Sequence, residues 1–204
     1  MSGLQARKIG LFGGAFDPPH RTHVAVAQAA LEQLGLDILH VGPTGFAWHK
    51  QRLLTAAEHR LEMCRLAFAV VDRAVVDDRE TRRSGPTYTI DTLHELQAQY
   101  QGAQLYLIMG QDQAKALASW HHADELGRAA IICVASRAEV GTVAASADGS
   151  LPLHGSTLQP LQLPPSPLNA TEIRDLLSRG QSVAPLVFES VARYIDQHHL
   201  YQAD

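Results

Sequence analysis

Continuous apolar segments alternate with amphipathic helical patterns about five times between residues 9 and 134. Strands that are apolar at every position are covered on both faces, which is typical of parallel sheets. The pattern predicts an α/β fold with a Rossmann-like, doubly wound parallel sheet and helices on both faces. Ligands of such sheets bind beyond the carboxyl ends of the strands, where the strand order reverses. The predicted strands are 9–12, 38–41, 74–76, 105–109 and 129–134.

Helix signals fill the intervals between these strands. Small apolar residues recur with helical spacing over 20–34, and Gly35 is a plausible stop. Thr55 and Glu58 have the spacing of a capping box. Thr89 is placed to cap a helix that ends near residue 100. Two further helices are predicted near 170–178 and 186–197.

The length of 204 residues predicts one domain over 1–204. Residues 138–167 are rich in Ala, Ser, Gly and Pro, which predicts a flexible loop with one candidate strand at 157–163. Residues 168–204 are predicted to form a C-terminal helical segment.

Composition excludes several classes of protein. Two cysteines, Cys64 and Cys133, lie in apolar segments and cannot form a disulfide framework or a C-x-x-C zinc site. The net charge of −4 argues against a broad nucleic-acid surface. No apolar run reaches the roughly 18 residues of a membrane span, and the first twenty residues lack a signal-peptide core. A cytoplasmic location is expected, and the oligomeric state stays open.

The segment from Gly10 to His23 reads G-L-F-G-G-A-F-D-P-P-H-R-T-H. A strand enters two glycines, which let a ligand approach the backbone, and a helix start follows, whose free N–H groups suit phosphate. His20 and His23 are three residues apart and therefore share one face of the first helical turn. The alternatives are a glycine turn with two exposed histidines, or a zinc pair that lacks a third ligand.

The segment Asn169-Ala-Thr-Glu-Ile-Arg174 predicts a second helix start. Asn169 and Glu172 fit a capping box. Thr171 and Arg174 lie three residues apart, so a hydroxyl and a guanidinium point the same way as the open N–H groups, which is an anion site. Without further context, a capped helix with a surface arginine explains the same residues.

A third group of residues could hold a flat ring. Tyr88 and Trp120 are candidates to sandwich it, with Thr89 at a helix start and Asp112 after a strand end. The plain alternative is that both aromatic residues are core and the threonine only caps. His49 and Lys50 follow a strand end in a loop. The adjacent pair His121–His122 is expected on the solvated surface.

Taken together, these residues resemble bacterial nicotinate-mononucleotide adenylyltransferases, within the nucleotidyltransferase superfamily that carries a G-G-x-F-D-P-x-H-x-G-H motif. The family's I-S-x-T-x-I-R segment resembles 168–174, and its D-x-R-E and P-S-Y-T-x-x-T-L segments resemble 77–80 and 86–93. The segments occur in the family's order over most of the chain. The residues that match the first motif are Gly13, Gly14, Phe16, Asp17, Pro18, His20 and His23.

The resemblance implies transfer of AMP from ATP to nicotinate mononucleotide, giving deamido-NAD and pyrophosphate. Catalytic roles are implied for His20, His23 and Arg174. The magnesium ion would be carried by the ATP phosphates, without a protein metal site. The resemblance implies ATP contacts for Gly13, Gly14, Ala15, Phe16, His20, His23, Thr171 and Arg174. It implies mononucleotide contacts for Phe16, His49, Lys50, Tyr88, Thr89, Asp112 and Trp120.

Five positions depart from the family pattern. Thr22 stands in place of a glycine and either crowds the phosphates or points away. Ala15 replaces Thr or Ser, Asn169 replaces Ser, and Ala47–Trp48 replace two prolines. Alternative functions are adenylyl or cytidylyl transfer to phosphopantetheine or a polyol phosphate, and nucleotide binding without catalysis. Metal binding through His20 and His23 is a more distant alternative.

Overall fold

A computed structural model of the chain describes residues 7–45, 54–137, 158–163 and 169–202. Within these ranges the strands form one sheet, and every neighbouring pair is parallel. The sheet order is β3-β2-β1-β4-β5-β6. The predicted doubly wound α/β fold is confirmed. The strands are β1 Lys8–Gly14, β2 Ile38–Pro43, β3 Ala74–Val76, β4 Gln104–Gly110, β5 Ile131–Arg137 and β6 Leu158–Leu163.

The helices of the described ranges pack on both faces of this sheet. The two faces bury separate apolar clusters, because successive side chains of a strand point in opposite directions. Ile9 and Leu11 of β1 belong to one cluster, whereas Phe12 belongs to the other. No described helix has both the length and the apolar character needed to cross a membrane. The helices are α1 Arg21–Gln33, α2 Ala57–Phe68, α3 Arg79–Arg82, α4 Thr89–Gln99, α5 Gln111–Ala116, α6 Ala123–Ala129, α7 Ala170–Ser178 and α8 Glu189–Gln197.

The strand order reverses between β1 and β4, which are hydrogen-bonded neighbours. β1 ends at Gly14 and β4 ends at Gly110, so their carboxyl ends lie side by side. In open α/β sheets this switch point is where ligands bind. The fold therefore places the glycines of the first motif at the edge that the sequence predicted for the ligand.

Two predicted helix caps are wrong. α2 begins at Ala57 after an Ala56 N-cap, and no side chain caps it. Thr55 instead makes tertiary contacts: its N–H donates to Asp17 Oδ2 at 3.4 Å, and its carbonyl oxygen accepts from Arg60 Nε at 2.8 Å. Thr89 is the first residue of α4 rather than its cap, and its neighbour Tyr88 is the N-cap residue.

Other differences concern element boundaries and short helices. β5 begins at Ile131 and runs to Arg137, later than the predicted 129–134. The candidate strand at 157–163 is present as β6, the edge strand beside β5. The remainder of the predicted flexible loop, 138–157 and 164–167, lies outside the described residues. The sequence patterns did not predict α3, α5 or α6.

Candidate active site

The two histidines of the first motif lie side by side at the start of α1. His20 is the N-cap residue, and His23 lies in the first turn. Their ring centroids are 3.8 Å apart, and the ring planes are inclined by 31°. The main-chain N–H of His20 donates to His23 Nδ1 at 3.2 Å. The prediction that both imidazoles share one face of the helix is confirmed.

His20 is a buried imidazole. Only 4% of its surface is exposed, and burial lowers its pKa to about 4. The ring is therefore neutral at pH 7. Its Nδ1 atom is buried and has no hydrogen-bond partner within the described part of the chain. Because buried polar atoms are nearly always hydrogen-bonded, an unsatisfied nitrogen beside a cavity is a feature expected of a ligand site.

The turn between β1 and α1 combines an open glycine with a strained aromatic residue. A Cβ atom added to Gly13 would meet nothing within 4 Å. Phe16 has a φ of 47°, in the left-handed region that bulky residues rarely adopt. Its ring is buried edge-on against Phe12 at 5.3 Å and against His23 at 5.0 Å between centroids. Ring packing thus holds Phe16 in a strained left-handed backbone conformation. Residues with such strain cluster at functional sites.

The second motif docks onto the first. Asn169 Oδ1 accepts the N–H of Glu172 at 2.9 Å, which confirms the predicted cap of α7. Arg174 Nη2 donates to Thr171 Oγ1 at 3.0 Å, as their three-residue spacing predicted. Arg174 Nη1 donates to the main-chain oxygen of Asp17 at 2.8 Å, across 157 residues of sequence. This bond brings the start of α7 to the glycine turn.

A cavity of about 560 Å³ lies between the two motifs. Imidazole, hydroxyl and guanidinium groups around one cavity form a set of hydrogen-bond donors suited to a polyanion. Thr22, one of the departures from the family pattern, also lines the cavity. The predicted ligand-contacting residues in its wall are Gly13, Gly14, Ala15, Phe16, His20, His23, Thr171 and Arg174.

A second cavity, of about 300 Å³, adjoins the first on the other side of the glycine turn. Tyr88, Thr89 and Trp120 line it, so the three residues that the sequence nominated for a flat ring are brought together. The residues that line both cavities are Gly13, Gly14, Ala15, Asp112 and Gln113. Two ligands that filled the cavities would meet at the end of β1.

Tyr88 has an aromatic neighbour that the sequence analysis did not predict. His121 stacks on the Tyr88 ring, with centroids 4.1 Å apart and planes inclined by 29°. His121 also lines the second cavity. His121 and His122 are both exposed, as the sequence analysis expected, but His121 also contacts a predicted site residue. Its position directly after Trp120, a predicted site residue, was the available signal.

Asp112 stands at the boundary between the two cavities. It follows Gly110 at the switch point, on the first turn of α5, and its carboxylate is fully exposed. The carboxylate lies 4.0 Å from Lys115 Nζ, and it can accept a hydrogen bond from a hydroxyl group of either ligand. The remaining predicted site residues, His49 and Lys50, lie outside the described residues, as do the departures Ala47 and Trp48.

The motif residue Asp17 has a structural role that sequence analysis did not predict. Its side chain is buried, and Tyr201 donates a 2.6 Å hydrogen bond from its hydroxyl to Asp17 Oδ1. The sequence suggested only a turn at Asp17–Pro18. Arg60 was also missed: it is buried beneath the same turn and donates to the carbonyl oxygen of Ala15 at 2.9 Å. The pairs Asp17–Tyr201 and Ala15–Arg60 are far apart in sequence, so no local spacing predicts their contacts.

Comparison with known proteins agrees with this architecture. The cytidylyltransferase-like family model matches residues 11–176. The probable nicotinate-nucleotide adenylyltransferase of Albidiferax ferrireducens is 52% identical over 196 residues, which cover 96% of this chain and 98% of that protein. The probable nicotinate-nucleotide adenylyltransferase of Methylibium petroleiphilum is 40% identical, over 98% of this chain and 95% of that protein.

The fold also matches solved structures. The Plasmodium falciparum nicotinic acid mononucleotide adenylyltransferase complexed with NaAD superposes with a TM-score of 0.77 at 17% identity. The match covers 96% of this chain and 97% of that chain. At this identity the likeness supports the fold.

Proposed function

This chain belongs to the cytidylyltransferase-like family and, within it, to the nicotinate-nucleotide adenylyltransferases, and from that premise we propose how its site works. The reaction joins ATP and nicotinate mononucleotide to give deamido-NAD and pyrophosphate. One observation carries the proposal: two cavities, one ringed by phosphate-binding donors and one by aromatic residues, share the wall formed by Gly13, Gly14 and Ala15.

ATP occupies the larger cavity in this proposal. Thr171 and Arg174 hold the β- and γ-phosphates, and their mutual hydrogen bond of 3.0 Å sets both groups in place before ATP binds. His20 and His23 donate to the phosphate that is transferred. A neutral imidazole donates through one ring nitrogen, so the low pKa of His20 is compatible with this role.

Nicotinate mononucleotide occupies the smaller cavity. Tyr88 and Trp120 flank the pyridine ring, and Thr89 opens a helix whose free N–H groups favour the ring carboxylate. An uncharged carboxamide gains less from these groups, which is the proposed basis for preferring the acid over the amide. Asp112 accepts a ribose hydroxyl. His49 and Lys50 remain predicted contacts of the incoming phosphate.

The chemistry is an in-line displacement. An oxygen of the mononucleotide phosphate forms a bond to the α-phosphorus of ATP, the bond from that phosphorus to the bridging oxygen breaks, and pyrophosphate leaves with the electron pair. The attacking oxygen is already anionic at pH 7, so a strong general base is not required. Catalysis then comes from positioning and from stabilising the charge on the transferred group.

ATP enters as its magnesium complex. Within the described ranges no group of three or more His, Cys, Asp or Glu side chains is arranged to hold a metal ion. Magnesium is usually held by substrate phosphates and water rather than by a protein cage.

The buried cysteines Cys64 and Cys133 are both free thiols, and such thiols persist in a reducing compartment, so we place the reaction in the cytoplasm.

The test is phosphorus NMR of two parallel reactions. The protein, ATP and magnesium are mixed with nicotinate mononucleotide in one tube and with nicotinamide mononucleotide in the other. Pyrophosphate and a new diphosphate signal in the acid tube alone are expected. Equal signals would remove the argument for acid preference. ATP binding without pyrophosphate in either tube would overturn the catalytic proposal and favour a binding module, with Thr22 as the suspect residue.

Replacing His20 tests the assignment of the imidazole. We expect H20A to lower kcat by roughly 100- to 1000-fold, the loss typical for removing one donor to a developing charge. Near-normal turnover by H20A would contradict the role given to His20.

A further inference from the structure

Arg60 is a buried cation in α2, and it contacts three separate parts of the backbone. Only 1% of the surface of Arg60 is exposed. Nη1 donates to the carbonyl oxygen of Ala15 at 2.9 Å, Nε to that of Thr55 at 2.8 Å, and Nη2 to that of Gly45 at 3.3 Å. Burying a guanidinium is costly, and main-chain oxygens offset that cost only where the geometry is good.

The contact with Ala15 reaches the wall shared by the two cavities. The carbonyl oxygen of Ala15 and the N–H of Phe16 belong to one planar trans peptide and point in opposite directions. A guanidinium that holds this oxygen inside the protein therefore also directs the Phe16 N–H away from Arg60. That N–H donates to no acceptor in the part of the chain that the structure describes, and Phe16 lines the larger cavity.

The other two contacts anchor the backbone on either side of this turn. Gly45 follows the end of β2, and Thr55 precedes α2. On its other side Gly45 packs closely against the carbonyl oxygen of Glu80. A Cβ atom added to Gly45 would collide with that oxygen, so Gly45 cannot shift toward it. Arg60 thus joins the ends of β1 and β2 to the start of α2 through one rigid group.

We infer that Arg60 is a positioning residue for adenylyl transfer: its guanidinium fixes the Ala15–Phe16 peptide so that the Phe16 N–H is presented to the phosphates where the two nucleotides meet. The inference rests on the proposed function. Arginine suits the task because its planar fork makes several directed hydrogen bonds, whereas a lysine ammonium is a compact point charge on a flexible stem.

The test compares R60K with R65K, in the same helix. Arg65 is half-exposed and donates to Glu62 at 3.2 Å, so R65K should behave as the wild type. We expect R60K to lower kcat/KM by roughly 10- to 100-fold, because small misplacements at a reacting centre have effects of this size. We expect kcat to fall and KM to rise, both measured per folded molecule at a temperature where unfolding is negligible.

A merely structural role would change the unfolding temperature but leave the kinetics of the folded protein intact. R60K with kcat and both KM values within twofold of the wild type would therefore overturn the inference. If neither the wild type nor R65K releases pyrophosphate, the proposed function fails instead, so the two failures are distinguishable.

A second variant covers the case in which R60K does not fold. R60A is assayed with millimolar methylguanidinium and, in parallel, with methylammonium. Recovery of kcat that saturates with methylguanidinium and not with methylammonium is expected. Equal recovery with both cations, or recovery of the unfolding temperature without any recovery of kcat, would contradict the role of the directed hydrogen bonds.

Discussion

The hydroxyl of Tyr201 donates a 2.6 Å hydrogen bond to Asp17 Oδ1, across 184 residues of sequence. Burial, together with the Asp17 carboxylate, raises the pKa of Tyr201, so its hydroxyl stays protonated and remains a donor. The main-chain oxygen of Asp17 in turn accepts from Arg174. Tyr201 therefore supports the buried aspartate that links the two phosphate-binding motifs.

Replacing Tyr201 by phenylalanine should weaken both stability and catalysis. Y201F leaves the buried Asp17 carboxylate short of one donor, which costs about 1–3 kcal/mol of unfolding free energy for a bond to a charged group. We expect kcat to fall several-fold, because Asp17, whose main-chain oxygen accepts from Arg174, is held less firmly. Urea unfolding and steady-state kinetics measure the two effects. Y194F is the matched control, because the Tyr194 hydroxyl contacts His59 instead; an equal loss in both variants would contradict a special role for Tyr201.

These long-range contacts mark the boundary of what sequence patterns predict here. His20 with His23, and Thr171 with Arg174, are three residues apart on helices, so local spacing was enough to place each pair together. Tyr201 and Asp17 meet because α8, which precedes Tyr201, packs against α2, and no local spacing encodes that contact. Sequence periodicity also did not predict α5 and α6. These helices have only six and seven residues, which is too short to display a helical period.

Two glycines of β1 should respond differently to replacement by alanine. A Cβ atom at Gly10 would lie 2.6 Å from Leu36 Cδ1 and 2.7 Å from Leu39 Cδ1, so G10A should lower the unfolding free energy by about 1–3 kcal/mol. A Cβ atom at Gly13 meets nothing, so G13A should fold as stably as the wild type.

The added methyl group of G13A would instead occupy space that the ligands need. We expect KM for ATP or for the mononucleotide to rise roughly 10- to 100-fold, the usual effect of one carbon group in a fitted pocket. Urea unfolding and kinetics of both alanine variants decide the matter. A stable G13A enzyme with unchanged KM values would show that the backbone at Gly13 is not a ligand contact.

Trp120 should affect one substrate only. It lines the smaller cavity together with Tyr88 and does not line the larger one. Since stacking on an aromatic side chain contributes about 1–3 kcal/mol per base, W120A should raise KM for nicotinate mononucleotide roughly 5- to 100-fold. KM for ATP should stay within twofold, and W120F should restore part of the loss. Equal rises in both KM values would assign Trp120 to general packing.

Asp77 should matter for stability and not for catalysis. It accepts from His40 Nδ1 at 2.7 Å and from Arg79 Nε at 2.8 Å. Burial alone would raise the pKa of Asp77, but these hydrogen bonds outweigh it and lower the pKa. The stabilisation is therefore complete above the unfolded-state pKa near 3.8 and is lost as the pH falls below that value.

The neighbouring aspartate offers the control. D77N breaks a buried charged network and should lower the unfolding free energy by roughly 3 kcal/mol at pH 7. Asp78 pairs with the exposed Arg82, so D78N should cost less than about 1 kcal/mol. Asp77 lines neither cavity, and kcat per folded molecule should be unchanged in both variants. A large fall in kcat for D77N alone would place the network in the catalytic machinery.

The buried imidazole of His20 should make the protein sensitive to mild acid. Its pKa is about 4 in the folded chain, against 6.5 for a solvent-exposed histidine, so the unfolded state binds the proton first as the pH falls. The stability that His20 contributes is present above pH 6.5 and is lost as the pH falls toward 4. The difference corresponds to about 3 kcal/mol between pH 7 and pH 4.

The variant H20Q lacks this titrating imidazole, so the urea-derived unfolding free energy of the wild type should fall more steeply with acid than that of H20Q. H94Q, at an exposed position, should follow the wild type. Parallel curves for the wild type and H20Q would mean that His20 carries no buried neutral ring in solution.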